Sequence, residues 1–219
     1  MPQTAAPART TRPSADPTRE RILAAALDLF SERSFDGATT RDIAARAGVT
    51  QPLLNYHFSS KDALWRAAVD GLFETLSLAL AARADGLRGV DELTTTRLLV
   101  REFITFSAHN PQLHRIITQE CKVDGPRMDW LIERHIRPIY EATVERFASL
   151  VDQGLLPDIS ATHLYYIVTG AGPTMFVLGP ECRRLAGIDP EDPAVIEAHA
   201  DAVCALLFGH QPREFDHAP

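Results

Sequence analysis

Ile22, Ala25, Ala26, Leu29 and Phe30 recur at i, i+3, i+4, i+7 and i+8, with polar residues between them. That is the period of a helix with one face in a core, and it predicts a first helix over about Thr18 to Ser34. Phe35-Asp36-Gly37 breaks it. A shorter apolar set, Ile43, Ala44 and Ala47, predicts a second helix from about Thr40, with the hydroxyl of Thr39 or Thr40 as its cap. Gly48 follows where a left-handed residue closes a helix, and Val49 plugs the turn. Thr50 caps a third helix opening Gln51-Pro52, since proline is tolerated in a first turn. Ser59 or Ser60 caps a fourth. It begins Lys61-Asp62, runs into the Ala80s and carries Leu64, Leu72, Phe73 and Leu76 on its buried side.

The helical period continues to the end of the chain, and no segment alternates as a strand would. A Gly/Asp break spans Asp85 to Gly89. Residues 91–109 place Val100, Phe103, Ile104 and Ser107 on one face, and Asn110-Pro111 ends that helix and starts another. After Asp124-Gly125-Pro126, residues 127–153 carry Ile132, Ile136, Ile139, Thr143, Phe147 and Leu150, with Pro138 expected to bend the helix. An eighth helix over about Ser160 to Leu178 shows Leu164, Ile167, Val168, Ala171, Met175 and Leu178. Pro173 lies inside it, where it frees the carbonyl of Thr169. A ninth, over about Pro193 to Phe208, shows Ile196, His199, Val203, Leu206 and Leu207. The expected fold class is all-α, with about nine helices and no internal repeat.

Composition adds bounds. With 219 residues, 45% of them hydrophobic and 23% charged, the chain is long enough for a sizeable core. No stretch reaches the ~20 apolar residues of a membrane span. The Pro/Ala/Thr/Arg opening has no apolar signal core, so a cytoplasmic location and no membrane partner are expected. Three dispersed cysteines, Cys121, Cys182 and Cys204, suit reduced thiols rather than a disulfide framework. Neither a nucleophile elbow, nor a phosphate-binding loop, nor a paired-histidine zinc motif occurs, so no catalytic residue, metal site or cofactor is assigned and no enzyme activity is expected.

The second and third helices carry the chemistry. Two short helices joined by a tight turn form a helix-turn-helix, whose second helix fits the DNA major groove. Between Ile43 and Lys61 there is no Asp or Glu, as a phosphate-facing surface requires. Gln51 and Asn55 are the side-chain types that pair bidentately with adenine, and Tyr56 and His57 can also hydrogen-bond. Net charge is −7, yet residues 1–62 hold eight Lys/Arg against seven Asp/Glu, and residues 63–219 fourteen against twenty-two. The acid therefore lies outside the hairpin region. Arg9, Arg12, Arg41, Arg46 and Lys61 are the candidate cations of the DNA-facing surface, Arg9 and Arg12 in an arm before Asp16. The modest local balance predicts weak non-specific affinity and reliance on a dimer.

The order of these features resembles the DNA-binding domain of the tetracycline-repressor (TetR) family of bacterial transcription regulators. The resemblance rests on Ile22, Ala25, Leu29, Phe30, Gly37, Thr39, Ile43, Ala44, Ala47, Gly48, Val49, Tyr56, His57, Phe58, Lys61 and Leu64, and it is specific over about Thr18 to Leu64. An aromatic is common in that family where this chain has Asn55. The resemblance implies a flexible arm (1–17), a DNA-binding domain (18–62) and a ligand-binding and dimerisation domain (63–219). The candidate DNA contacts are Thr39, Thr40, Arg41, Thr50, Gln51, Pro52, Asn55, Tyr56, His57 and Lys61.

A ligand-responsive regulator, usually a repressor released from its operator by a small molecule, is the implied function. Candidate ligand contacts are Phe103, Ser107, Trp130, His135, Tyr166, Met175 and Phe176, apolar groups with a few polar ones, as such sites need. Gly170, Ala171 and Gly172 on the eighth helix, with Ala198, Ala202 and Ala205 on the ninth, let helices approach closely. They predict a homodimer on a four-helix interface, hence a palindromic operator. The alternative is a metal- or thiol-sensing regulator, in which Cys and His from distant helices converge.

Overall fold

The computed structural model describes residues 16–209. The arm that would carry Arg9 and Arg12 lies outside the described residues, apart from Asp16 and Pro17. Every regular element among the described residues is helical. The helices are α1 (Pro17–Gly37), α2 (Thr40–Ala47), α3 (Gln51–His57), α4 (Lys61–Asp85), α5 (Glu92–His109), α6 (Pro111–Glu120), α7 (Pro126–Leu131), α8 (Arg137–Asp152), α9 (Ala161–Val177), α10 (Gly179–Ala186) and α11 (Pro193–Phe208). A π-helical segment, Ile132–Ile136, joins α7 to α8 without a break. Among the described residues helical structure thus forms ten continuous stretches, one more than the nine expected. The extra one is α10. Gly179-Pro180 reads as a breaker, yet proline in the first turn of a helix loses no hydrogen bond that the helix needs.

The chain divides into two compact units, Met1–Ala68 and Val69–Pro219, with the division inside α4. In the first unit the expected stripe is realised: Ile22, Ala25, Ala26, Leu29 and Phe30 are buried, and Ile43, Ala44, Ala47, Leu54, Leu64 and Trp65 complete the core. Ser34 interrupts α1 with φ 61° and ψ 173°, a region that only glycine enters freely. The turn so made carries Phe35 back, to stack on Phe30 at 5.8 Å and meet Trp65 edge-on at 6.3 Å.

In the second unit α5, α8, α9 and α11 enclose one core, with Ile104, Phe147, Leu150, Leu164, Val168 and Ala200 among its buried residues. Two expected faces are corrected here. On α9 the buried stripe is Leu164, Val168, Gly172 and Phe176, while Ile167, Ala171 and Leu178 are exposed. On α11 Leu207 is buried and Leu206 is 86% exposed. Both helices carry apolar residues on more than one side, so periodicity alone could not pick the inward side. Gly172 faces the unit's own core, where a Cβ would lie 3.0 Å from Ile104. Pro138 does not simply bend its helix. The turn before it widens, and the Arg137 N–H donates to the Ile132 carbonyl, five residues back.

Candidate nucleic-acid interface

The hairpin forms because each of its ends is chemically closed. The Thr39 hydroxyl accepts from the Asp42 N–H at 3.1 Å and caps α2. Gly48, at φ 65°, ends that helix, its N–H and that of Val49 donating to the Ala45 and Ala44 carbonyls. The Thr50 hydroxyl accepts from Leu53 N–H, capping α3, and Ser60 accepts from Ala63 N–H at 3.0 Å, capping α4. Between the two expected alternatives at each helix start, Thr39 and Ser60 are therefore the caps.

α3 is held by Leu54 and by Phe58 just beyond it, both buried. That leaves Gln51, Pro52, Leu53, Asn55 and Tyr56 exposed, Tyr56 to 83% and Leu53 to 39%. Gln51 donates from Nε2 to the Thr40 hydroxyl at 3.3 Å, which ties the first side chain of α3 to the start of α2. Arg41, Thr39 and Thr50 are exposed, and Thr40 and Lys61 are half-buried. The Lys61 ammonium sits 4.5 Å from the centre of the Phe35 ring, a cation–π contact. His57 offers little surface: its side chain is 12% exposed, and Nε2 lies 3.7 Å from the Asp16 carboxylate. Arg46, a candidate phosphate contact, is instead held by Glu32 at 2.8 Å, and that hydrogen bond raises its already high pKa further.

The arrangement presents one short helix, acid-free and polar on one flank, anchored from behind by two apolar side chains. Sequence reading missed Leu53. Two adjacent leucines on a short helix look alike in sequence, and only the exposure separates Leu53 from Leu54.

Of the candidate ligand contacts, Trp130 and His135 come together with Phe73: the His135 ring stacks on Phe73 at 4.5 Å and meets Trp130 edge-on at 5.1 Å. The Asp70 carboxylate lies 2.9 Å from the buried Nε2 of His135, outside the alignment of a directed hydrogen bond. Burial lowers the His135 pKa, and the nearby Asp70 charge only partly offsets that. Phe103 is half-buried against the core, and the buried Ser107 hydroxyl donates to its carbonyl at 2.8 Å. Phe176 is buried and meets His199 edge-on, while His199 Nε2 donates to the Gly172 carbonyl at 3.0 Å. Met175 is half-buried, and Tyr166 is 65% exposed beside Tyr165. Burial raises the Tyr165 pKa to about 12.

A shallow cleft of about 360 Å³ lies between α4 and α5, lined by Ala79, Ala82, Arg83, Gly86, Leu87 and Glu102, and none of the seven candidates lines it. The three cysteines are unpaired with one another, and burial raises the pKa of the Cys121 and Cys204 thiols, which disfavours the reactive thiolate. Among the described residues no three His, Cys, Asp or Glu side chains gather as a metal site would need, and no helix is long and apolar enough to cross a membrane.

Residues 22–68 match the family model described as bacterial regulatory proteins, tetR family. The HTH-type transcriptional regulator RutR of Escherichia coli K12 is 25% identical over 196 residues, covering 89% of this chain and 91% of RutR. The HTH-type transcriptional activator FasR of Mycolicibacterium smegmatis is 31% identical over 146 residues, 64% of this chain and 62% of FasR. Among solved structures, AibR in complex with isovaleryl coenzyme A and operator DNA superposes with a TM-score of 0.71 at 19% identity, over 88% of this chain and 98% of AibR.

Proposed function

Since the chain belongs to the tetR family of bacterial regulatory proteins and is a DNA-binding transcriptional regulator, we propose that it binds a palindromic operator as a homodimer and is released from it by a small molecule. The observation that carries this reading is α3: a capped helix with Leu54 and Phe58 turned inward and Gln51, Asn55 and Tyr56 turned out. Gln51 and Asn55 read base edges. Thr39, Thr40, Arg41, Thr50, Tyr56, His57 and Lys61 hold the backbone, and Pro52 packs in the groove.

Dimerisation is supported by the outer faces of α9 and α11, which pack side by side. They expose Ile167 and Ala171 on one helix and Ala198, Ala202 and Leu206 on the other. Apolar side chains repeated along two adjacent helices fit a second copy about a two-fold axis. Two recognition helices then read half-sites about one helical turn, roughly 34–36 Å, or a multiple apart. Effector binding belongs to the second unit, where Phe103, Ser107, Trp130, His135, Tyr166, Met175 and Phe176 are the proposed contacts. AibR offers a precedent, having been solved with an acyl coenzyme A and operator DNA together.

α4 begins in the first unit and ends in the second, so an effector that prefers one setting of that helix changes operator affinity. A coupling of about 1–3 kcal/mol changes it 5- to 150-fold, and operator weakens effector binding by the same factor. Selection of duplexes from random sequence by the purified chain, followed by footprinting, tests the reading. A symmetric, salt-sensitive site is the expected result, and an asymmetric single site would overturn the dimer. Titration calorimetry of a candidate effector with and without that duplex tests the coupling; equal affinities would remove it.

A further inference from the structure

From the exposure of α3 we infer that Leu53 is a specificity-determining residue, recognising the C5-methyl group of a thymine in each operator half-site. The inference rests on the proposal that α3 lies in the major groove. Leu54 is buried and Leu53, one residue earlier and so about 100° around the helix, is 39% exposed. Its neighbours outward are Pro52 and Tyr56, both exposed, so an apolar strip runs along the outer face beside the amides of Gln51 and Asn55. Leu53 is the third residue of α3, in the first turn, which in a helix-turn-helix contacts base edges.

The chemistry of the groove names the ligand. Each base edge there presents hydrogen-bonding groups, and thymine alone adds a methyl. Leucine cannot satisfy a donor or acceptor, so facing cytosine, adenine or guanine it would strip water from a polar group and return nothing. Facing thymine it covers an apolar group. In the free protein Leu53 is partly solvated; in the complex both partners leave water together. Burying one methyl-sized group corresponds to about a fourfold change in affinity per half-site.

The experiment uses the full chain and a duplex selected from random sequence. Each thymine is replaced in turn by deoxyuridine, which removes only the methyl. One symmetric pair of thymines should be sensitive, at about fourfold per half-site and about fifteenfold when both are replaced. Leu53→Ala should bind the parent duplex more weakly and lose its sensitivity at that pair while keeping it elsewhere. Leu53→Met, which restores an apolar side chain of similar volume, should recover it. If no thymine is methyl-sensitive, or if Leu53→Ala keeps the same pattern, the inference is overturned while DNA reading by α3 stands. If no duplex is selected at all, both fall.

Discussion

Gln51 and Lys61 sit ten residues apart and are built for different tasks. Gln51 opens α3 with its amide braced by Thr40, while Lys61 opens α4 with its ammonium over Phe35. Gln51→Ala should cost about 1–3 kcal/mol on the selected operator and relax preference at one base pair. Lys61→Ala should instead weaken binding to all sequences alike and lower the salt slope by about one. Anisotropy titrations across salt, on operator and on scrambled duplex, separate the two. Ser34 is the other single residue with a measurable cost. Its φ of 61° with ψ 173° suits only glycine, and such a conformation is worth about 1–3 kcal/mol of strain. Ser34→Gly should raise the stability of the protein by about 1 kcal/mol, read from denaturant midpoints. What the sequence made legible at this scale was residue type: the acid-free run and its two amides. Which side of α3 each residue takes was not legible, because a seven-residue helix is too short for a period to declare itself. Leu53 and His57 show it: the apolar Leu53 is partly exposed, and the polar His57 is mostly covered.

The helices themselves were largely legible, for identifiable reasons. α1 and α2 each combine a cap, an apolar stripe and a stop signal, and local preference agrees with tertiary packing. α10 lacked such agreement: no large apolar side chain on it is buried, and Leu185 is exposed. α9 and α11 had too much signal, with apolar residues on more than one side of each. Gly172 shows what decided the face of α9. Its missing side chain admits Ile104, a wholly buried residue of the core, so the backbone approaches α5 closely there. Gly172→Ala would push a Cβ to 3.0 Å from Ile104 Cγ1, and overpacking of that kind costs about 1–3 kcal/mol. A lowered denaturation midpoint for Gly172→Ala is expected, with no such loss for Gly170→Ala, which meets nothing within 4 Å.

For the molecule as a whole, charge and surface apolarity divide the labour. The excess acid of residues 63–219 falls on the part proposed to sense and dimerise, where it keeps that surface from competing for phosphate. A near-neutral N-terminal unit predicts weak DNA binding by a single copy, so the operator affinity is expected to follow the monomer–dimer equilibrium. Leu206 lies at the centre of that expectation, 86% exposed on α11 beside Ala202 and Ala205. Leu206→Glu should shift sedimentation toward monomer and weaken operator binding at least tenfold, while helical content stays unchanged, since the side chain touches little of its own core. Unchanged sedimentation and operator binding in Leu206→Glu would overturn the proposed interface. The resemblance covers only the first unit; the second was legible as helices, and its candidate contacts are drawn from several of them without a motif to join them.

The wide turn at Ile132–Ile136 has an arithmetical implication. A five-residue ring of backbone hydrogen bonding where four would serve means that this stretch carries one amino acid beyond what its length requires. Dropping Glu133, together with Pro138→Ala so that the narrower coil meets no ring clash, should leave Phe147 and Leu150 pointing where they do now. The same shortening anywhere between 139 and 146 would swing them about 100° out of register. Shortened proteins of the first kind should melt as one cooperative unit and those of the second should not, which would mark 132–136 as the place where the helix tolerates a change in its own count.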